Sequence, residues 1–544
     1  MASQTLAYDA RQSLSWDLVL KGILLSVLGY WGSIAIVYPV TTWDSQVYNL
    51  SRLLVAEKSG FWQSTAWNSE RQIIFPWTFD SVHYPLLKLG FGFALPSFLA
   101  LLGILVVVYS LVSAHYDKRV ALWACLTIVS MPTIVLQATT TKNDLAVVFS
   151  VACWVLALVR YKKNRLNIYI LLAALALAFG TGSKTSGVGA CLICAAITVW
   201  LLRRELKTLI FFITSFAFLL ILFGSVETYV LSYHSYQNPL GPSNFVRDQS
   251  NHDGFRGAIA NLIRYFFGNL SIGIDGWTVQ TGFADVSQRV CRYVLNLFNL
   301  RETGYEGQFS DENLAFVKVG YSAGSDFGIA GAIAMLTAPL WVLSFRRSKF
   351  AAVSAAGGIA SLILISSGVA WMEWNARFLC LAFTCLGVAL AVRVFSGGGH
   401  MRAWQVPLGC VIILSSFSFP FLTYSCRPGD VLTAITDREV IQFSDRPEMQ
   451  AVYDKVRSLN AAQPTATWLL VAGGDSWTLP FLQMHGLELK LAPQLRDVIE
   501  WRRVHSGQDA FVLLLDQGPN QQISDAKVEF ASDDDQILKI FGGR

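Results

Sequence analysis

The sequence predicts a mainly α-helical, polytopic membrane protein with a small α/β domain at its C-terminal end. Three observations predict this class. Of the 544 residues, 53% are hydrophobic and only 15% are charged, whereas soluble domains are about one quarter charged. Several separate apolar runs reach the roughly 20 residues that a helix needs to cross a bilayer. After residue 425 charged residues occur throughout, and no such run is found.

The apolar runs predict about eleven transmembrane helices. The short runs at 166–181 and 186–202 leave this number open by one or two. No clear cleavage site precedes Tyr38, so we interpret the first run as an uncleaved anchor. The predicted spans are 17–39, 86–112, 120–137, 145–160, 166–181, 186–202, 208–228, 327–345, 350–370, 377–395 and 404–424.

The loops between the runs predict the topology. With a cytoplasmic N-terminus and eleven spans, all basic loops fall on the cytoplasmic side, as the positive-inside rule expects. These loops are 117–119, 160–165, 203–207, 346–349 and 400–402. The same topology places the other connections outside, namely 40–85, 138–144, 181–185, 229–326, 371–376 and everything after 425.

The chain is therefore expected to contain a membrane domain at 1–425 and an extracytoplasmic domain at 426–544. The second domain is predicted to be α/β, because two short apolar runs, 468–472 and 511–515, are typical of buried strands. Amphipathic helices fit near 436–460 and 494–504.

Composition and motifs exclude several classes of function. The net charge of +5 is spread over short loops, which does not suggest nucleic acid. The seven histidines show no zinc-site spacing, and no P-loop occurs. We predict no metal site and no cofactor, with a divalent cation left open. Most of the nine cysteines lie within the apolar runs, and a Cys291–Cys426 disulfide stays an open question.

Two acids fall on the predicted outer face. Asp44 directly follows the first apolar run and Asp144 precedes the span at 145–160. Acids beside membrane spans tend to mark working sites. The alternative is helix capping, by Asp44 for a helix at 45–57 and by Asn143 or Asp144 for the following span.

Cations fall on the same predicted face. Lys184 occupies a tight outward turn, Arg377 opens a span, and Arg264 and Arg71 lie in the long outward segments. Snorkelling to the interface would explain each cation alone. Two acids and several cations beside a bilayer fit a lipid phosphate substrate, because cations hold the phosphate and an acid handles a proton.

Several of these residues also resemble a known family. The motifs resemble bacterial integral-membrane glycosyltransferases of the protein O-mannosyltransferase and aminoarabinose transferase family, which has the GT-C fold. The resemblance covers roughly residues 20–400. It rests on Trp43-Asp44-Ser45 with Tyr48 and Arg52, Arg71-Gln72, Gln137-Ala138-Thr139 leading to Asn143-Asp144, and Gly180-Thr181-Gly182-Ser183-Lys184. Weaker matches are Asn238-Pro239-Leu240-Gly241, Ser325-Asp326-Phe327-Gly328 and Trp374-Asn375-Ala376-Arg377-Phe378.

The resemblance implies a reaction, a cellular location and roles for several residues. The donor would be a polyprenyl-phosphate sugar, used on the periplasmic side of the bacterial inner membrane in one inverting displacement. The acceptor would be a lipid, a glycan or a protein. The implied catalytic residues are Asp44, as base on the acceptor hydroxyl, and Asp144. The implied substrate-binding residues are Lys184, Arg377, Arg264, Arg71 and Tyr48.

The sequence departs from the family pattern at two positions. Asn49 stands where relatives usually have a histidine, and Asp44 is followed by Ser45 rather than by a second acid.

Two other functions remain as alternatives. A lipid-linked glycan transporter or flippase should carry polar residues deep within its spans, and the spans here are nearly free of them. An O-antigen-type polymerase or ligase would depend on arginines and a histidine in a large outer loop. The 229–326 segment contains such residues, namely His234, His252, Arg247 and Arg256.

Overall fold

The structure is a computed structural model. It describes residues 2–59, 69–272, 283–300, 327–372, 375–397, 402–403, 405–422, 428–444, 446–472, 476–484, 487, 489–491, 498, 510–516, 526–531 and 535–540. Every statement below concerns these residues.

The described chain is mostly helical. In chain order the α-helices are α1 (Ala2–Val37), α2 (Ser51–Ser59), α3 (Glu70–Ile74), α4 (Thr78–Ser81), α5 (Tyr84–Leu89), α6 (Leu95–Ser113), α7 (Lys118–Val129), α8 (Pro132–Ala138), α9 (Asp144–Asn164), α10 (Asn167–Ser183), α11 (Thr185–Leu202), α12 (Leu206–Phe223), α13 (Val226–Tyr236), α14 (Ser243–Gln249), α15 (Gly254–Ile272), α16 (Phe283–Leu297), α17 (Gly328–Leu343), α18 (Lys349–Gly368), α19 (Cys380–Phe395), α20 (Gln405–Leu422), α21 (Pro428–Thr436), α22 (Arg438–Gln442), α23 (Pro447–Ala462) and α24 (Leu479–Gln483). A π-helical turn covers Ser45–Asn49, and a 3-10 helix covers Asn375–Leu379.

The predicted fold class, a polytopic helix bundle, is confirmed. Among the described residues, seven helices are long and apolar enough to cross a membrane, or eight if α7 and α8, bent by 78°, form one broken span. Three shorter apolar helices are α10, α17 and the first part of α20. Each predicted span overlaps one of these helices, so a count of eleven is compatible with the structure. The second predicted span starts too early, because residues 84–89 form the separate helix α5, and Gly90 ends it with a φ of 76°.

The chain divides into two compact units. The first unit contains residues 1–36, 94–226 and 242–431, and the second contains 37–93, 227–241 and 432–544. The predicted domain boundary at residue 425 stays a prediction. In this division, the 37–93 segment groups with the C-terminal residues.

In the first unit α10 packs closely against α9 and α12. Its buried face carries Ile170, Ala173, Ala174, Leu177 and Ala178. Small side chains at this spacing let helix backbones approach each other closely, which is a common way to pack helices in membranes.

The close packing continues into the turn between α10 and α11. A Cβ atom on Gly180 would lie 2.7 Å from Cys191 Sγ, and one on Gly187 would lie 2.8 Å from Val147 Cγ2. Real Cβ atoms essentially never come this close to another heavy atom. Glycines on both sides therefore let the tight turn carry Lys184 against the start of α9.

The basic loops of the first unit make contacts in pairs or with α1. Their contacts are Arg119–Asp17 (3.1 Å), Tyr116–Ser348 (2.8 Å) and Arg165–Glu205 (2.6 Å). The loop at 160–165 includes the last turn of α9, whereas Asp144 is its first residue. With 21 residues at 1.5 Å each, α9 separates these two ends by about 30 Å.

The second unit contains a five-stranded sheet. Its strands are β1 (Thr467–Ala472), β2 (Leu489–Leu491), β3 (Ala510–Leu515), β4 (Ala526–Ala531) and β5 (Gln536–Ile540), in the order β2-β1-β3-β5-β4. β1 is parallel to β2 and β3, whereas β5 is antiparallel to β3 and β4. Both predicted strands are present as β1 and β3. The helix predicted near 436–460 is found as α22 and α23, and the one predicted at 494–504 lies almost wholly outside the described residues.

Candidate functional site

A cleft in the first unit brings together three of the predicted site residues. It contains about 390 Å³ of empty space, part of it open to solvent, and Asp144, Lys184 and Arg377 form its charged part. The rest of its lining is largely apolar and includes Val147, Val148, Ala190, Leu364, Ile365 and Leu381. The cleft therefore combines charged groups with an apolar wall.

Asp144 and Lys184 form an ion pair in this cleft. Lys184 is an extended residue that joins α10 to α11, and its Nζ contacts Asp144 Oδ1. The Asp144 side chain is only 2% exposed, whereas that of Lys184 is 15% exposed. The other carboxylate oxygen, Asp144 Oδ2, is buried without a hydrogen-bond partner. The carboxylate is therefore only half satisfied by protein groups.

The capping interpretation does not explain this acid. The N-cap position of α9 is Asn143, and its side chain makes no capping hydrogen bond. Instead, Asn143 Nδ2 donates to the carbonyl of Ser183 at 2.5 Å. This bond joins the start of α9 to the residue before Lys184. Asp144 is the first residue of the helix, where a negative charge also favours the helix dipole.

Arg377 reaches the same cleft from the 3-10 helix Asn375–Leu379. Asn375 anchors this helix by donating its side-chain amide to the carbonyl of Ala370 at 2.6 Å. The ring of Phe378 lies 5.2 Å from Arg377 Cζ and 4.5 Å from Lys184 Nζ. Cations are attracted to aromatic faces within about 6 Å. The ring of Phe378 thus lies beside two cations, one of which is paired with Asp144.

Arg264 is also in the first unit but does not line the cleft. Its side chain is 3% exposed, its guanidinium lies 5.6 Å from the ring of Trp371, and it donates to Asn261 at 3.1 Å. Burial lowers the pKa of Arg264 to about 10. The Asn261 amide in turn donates to backbone carbonyls at the end of α18. These contacts give Arg264 a packing role in this part of the unit.

Asp44 lies in the second unit, just before the π-helical turn. Its side chain is 8% exposed and makes no capping hydrogen bond to that turn. The predicted capping role is therefore not observed. The predicted residues Tyr48 and Arg71 both contact Trp43, with a ring separation of 6.2 Å and a Cζ-to-ring distance of 4.9 Å. Both residues therefore lie beside the ring of the residue that precedes Asp44.

The sequence analysis missed a buried ion pair in this second unit. Arg52 is 2% exposed and Asp80 is 0% exposed, and their side chains are in direct contact. Asn49 donates to both carboxylate oxygens of Asp80, at 3.0 and 3.1 Å. The sequence contains only weak signals for this group: Arg52 belongs to the family motif, and Asp80 is one of several acids in the 40–85 segment.

Two further questions from the sequence concern metal binding and a disulfide. Within them, no three His, Cys, Asp or Glu side chains form a group that could hold a metal ion. Cys291 is a buried free thiol, and burial raises its pKa to about 12. Its proposed partner, Cys426, lies outside the described residues.

Comparisons with known proteins found one family model and two solved structures similar to this chain. A family model described as dolichyl-phosphate-mannose-protein mannosyltransferase matches residues 72–226. The structure of ArnT from Cupriavidus metallidurans bound to undecaprenyl phosphate matches with a TM-score of 0.52 and 14% identity, covering 96% of this chain and 98% of ArnT. The apo form of the same protein matches with a TM-score of 0.43 and 14% identity, covering 97% and 98%. No curated protein sequence gives a significant match.

The family match includes Asp144 and Lys184 but ends before Arg264 and Arg377. The structural match covers almost the whole chain, and at this identity it concerns the fold. The resemblance noted in the sequence is thus confirmed: the chain resembles the GT-C glycosyltransferases of the mannosyltransferase and ArnT kind, by family model over residues 72–226 and by fold over nearly its full length.

Proposed function

We propose that this protein is an integral-membrane glycosyltransferase that moves a sugar from a polyprenyl-phosphate-linked donor to a lipid, glycan or protein acceptor. The observation that carries the proposal is the cleft of the first unit. Its lining contains the cations Lys184 and Arg377 together with one acid, Asp144, and an apolar wall adjoins them. A phosphate carried on a long apolar chain has matching properties.

The reaction would be a single displacement. The acceptor oxygen attacks the anomeric carbon while the bond from that carbon to the phosphate oxygen breaks, so the configuration inverts. Negative charge develops on the departing phosphate, and fixed cations such as Lys184 and Arg377 stabilise it. The proton of the acceptor hydroxyl passes to the Asp44 carboxylate. Asp144 acts through Lys184, by balancing its positive charge in the cleft.

The remaining predicted residues have secondary roles in this proposal. Tyr48 and Arg71 surround Trp43 next to Asp44 and would shape the acceptor side. Arg264, which is packed against Trp371, would support the donor side indirectly.

The distribution of charge supports an extracytoplasmic reaction. The cleft lies at the start of α9, and the basic loops 160–165 and 203–207 are in contact at its other end. Basic loops are typical of the cytoplasmic side, so the cleft would open on the opposite side. This topology would place the N-terminus in the cytoplasm of a bacterial cell and the C-terminal domain in the periplasm.

The contacts of Arg247 and His252 bear on the polymerase or ligase alternative. Arg247 is largely exposed and pairs with its neighbour Asp248, while His252 bonds to the carbonyl of Arg247. This is a local turn rather than a cluster of catalytic groups, so a polymerase or ligase that relies on these residues is not favoured.

The test uses the purified protein in detergent with a panel of radiolabelled polyprenyl-phosphate sugars and total membrane extract as the acceptor source. We expect one donor to be consumed, and Asp44→Asn to lower its turnover about 10²–10⁴-fold, which is the usual contribution of a general base. The control is Asp117→Asn, an exposed acid in a basic loop, which should leave turnover unchanged. Near-normal turnover of Asp44→Asn would refute the role of this residue, and no consumption of any donor would refute the proposed function.

A further inference from the structure

The second unit contains a fully enclosed ion pair that the reaction scheme does not use. Besides contacting Asp80, the Arg52 guanidinium donates to the carbonyls of Phe75 at 2.6 Å and Pro76 at 2.7 Å. Asn49 supplies both carboxylate oxygens of Asp80 with a further hydrogen bond. The group thus joins α2, the extended stretch at 75–76 and α4 at one point.

A pair in this position is not explained by stability alone. Taking two charges out of water costs about as much as their attraction returns, and well-packed apolar residues often stabilise a protein equally well. What the pair does provide is geometry, because Arg52 directs a rigid fork of donors to fixed acceptors.

The geometry fixes the π-helical turn that follows Asp44. Asn49 is the last residue of this turn, and its amide is held by Asp80. Gln72 Nε2 donates to the carbonyl of Val47 at 2.9 Å, and Ser51 Oγ donates to the same carbonyl at 2.5 Å. Single π-helical turns are rare and occur frequently at functional sites. Both the middle and the end of this turn are therefore tied to buried groups.

We infer that Asp80 and Arg52 are positioning residues that hold the Asp44 carboxylate in place by fixing the turn 45–49. This inference rests on the proposed role of Asp44 as the base. It also gives a function to Asn49, the position at which the chain departs from the family pattern. A carboxamide at this position donates to the Asp80 carboxylate without adding charge to the buried group.

The expected effect is a loss of turnover rather than of donor binding. A misplacement of a reacting group by about 1 Å can cost about 10²-fold in rate. We therefore expect Asp80→Asn to lower kcat about 100-fold and to leave the KM for the donor unchanged, since the cleft residues are not altered.

A double variant separates positioning from folding. Arg52→Met and Asp80→Leu should each lower the melting temperature, because each leaves one buried charge unpaired. Together they remove both charges, and the melting temperature should recover. The positioning role predicts that kcat stays about 100-fold low in the double variant. Recovery of kcat together with the melting temperature would show that the pair is merely structural and would overturn the inference.

A second measurement applies if the double variant does not fold. Hydrogen exchange of the amides at 44–52 should become faster in Asp80→Asn and stay unchanged in Lys88→Met. Lys88 forms an exposed ion pair with Glu57 in the same unit, so it is a matched control outside the buried group. Unchanged exchange in Asp80→Asn would overturn the inference.

Failure of this inference can be distinguished from failure of the proposed function. Full activity in Asp44→Asn would show that Asp44 is not the base. The positioning role of Asp80 and Arg52 would then fail as well. An inactive Asp44→Asn combined with a fully active Asp80→Asn would refute only the positioning role.

Discussion

Each unit contains an ion pair with a buried carboxylate. The two pairs differ in how many hydrogen bonds that carboxylate accepts. In the cleft, Lys184 is 15% exposed and Asp144 Oδ2 has no hydrogen-bond partner. In the second unit, both oxygens of Asp80 accept hydrogen bonds, and Arg52 binds two backbone carbonyls in addition. In the Asp144–Lys184 pair one carboxylate oxygen lacks a hydrogen-bond partner. In the Arg52–Asp80 pair both carboxylate oxygens accept hydrogen bonds.

This difference indicates different tasks. Lysine is a compact charge on a flexible stem, whereas arginine presents a rigid planar fork. A lysine with a half-satisfied partner beside a second cation can turn towards an incoming phosphate. An arginine whose two terminal nitrogens already bind a carboxylate and two backbone carbonyls is held in place by those contacts. We therefore assign substrate binding to the first pair and positioning to the second.

The largest effect on the cleft should come from Lys184→Met. This change removes a phosphate ligand and also leaves the Asp144 carboxylate without its partner. We expect kcat/KM to fall about 10²–10³-fold, comparable to the loss of one donor to a developing oxyanion. The control is Lys162→Met, an exposed cation at the other end of α9. Equal activity of the two variants would contradict the role of the cleft.

Asp144→Asn should have a smaller effect than Lys184→Met. It should strengthen phosphate binding rather than weaken it. The substitution removes the negative charge beside Lys184 from a lining that also contains Arg377, so an anion is attracted more strongly. We expect undecaprenyl phosphate to bind about tenfold more tightly, which corresponds to about 1.4 kcal/mol. The measurement is the Kd in detergent. Weaker binding would show that Asp144 is needed to orient Lys184 more than to balance its charge.

The two pairs also differ in how far the sequence could predict them. Lys184 and Asp144 were predicted as a site because each lies where an apolar run ends, so topology alone places them on one face. The positions of Arg52 and Asp80 are 28 residues apart in a segment without regular periodicity. Their contact depends on several short helices and on a π-helical turn, and local patterns predict neither. The strands β1 and β3 were predictable because each is a continuous apolar run.

Acid should weaken the second unit through His83, which lies next to the Arg52–Asp80 pair. Its ring is fully buried, and Nδ1 is 3.2 Å from the carbonyl of Phe79. Burial lowers the pKa of His83 from 6.5 to about 4, although hydrogen bonds to the backbone of Phe79 and Asp80 oppose this. Between these pH values the unfolded chain binds a proton that the folded chain does not. Stability is therefore fully present above pH 6.5 and falls as the pH drops towards 4.

The loss should approach about 3 kcal/mol at pH 4, at about 1.4 kcal/mol for each pH unit. Below pH 4 the folded protein also binds the proton, and this contribution levels off. The measurement compares melting temperatures of the wild type and His83→Gln in detergent from pH 7.5 to 4.5. We expect the wild-type curve to fall more steeply, because the glutamine does not titrate. Parallel curves would show that the folded protein already accommodates a charged His83. That outcome would contradict the tight enclosure of the group around Asp80.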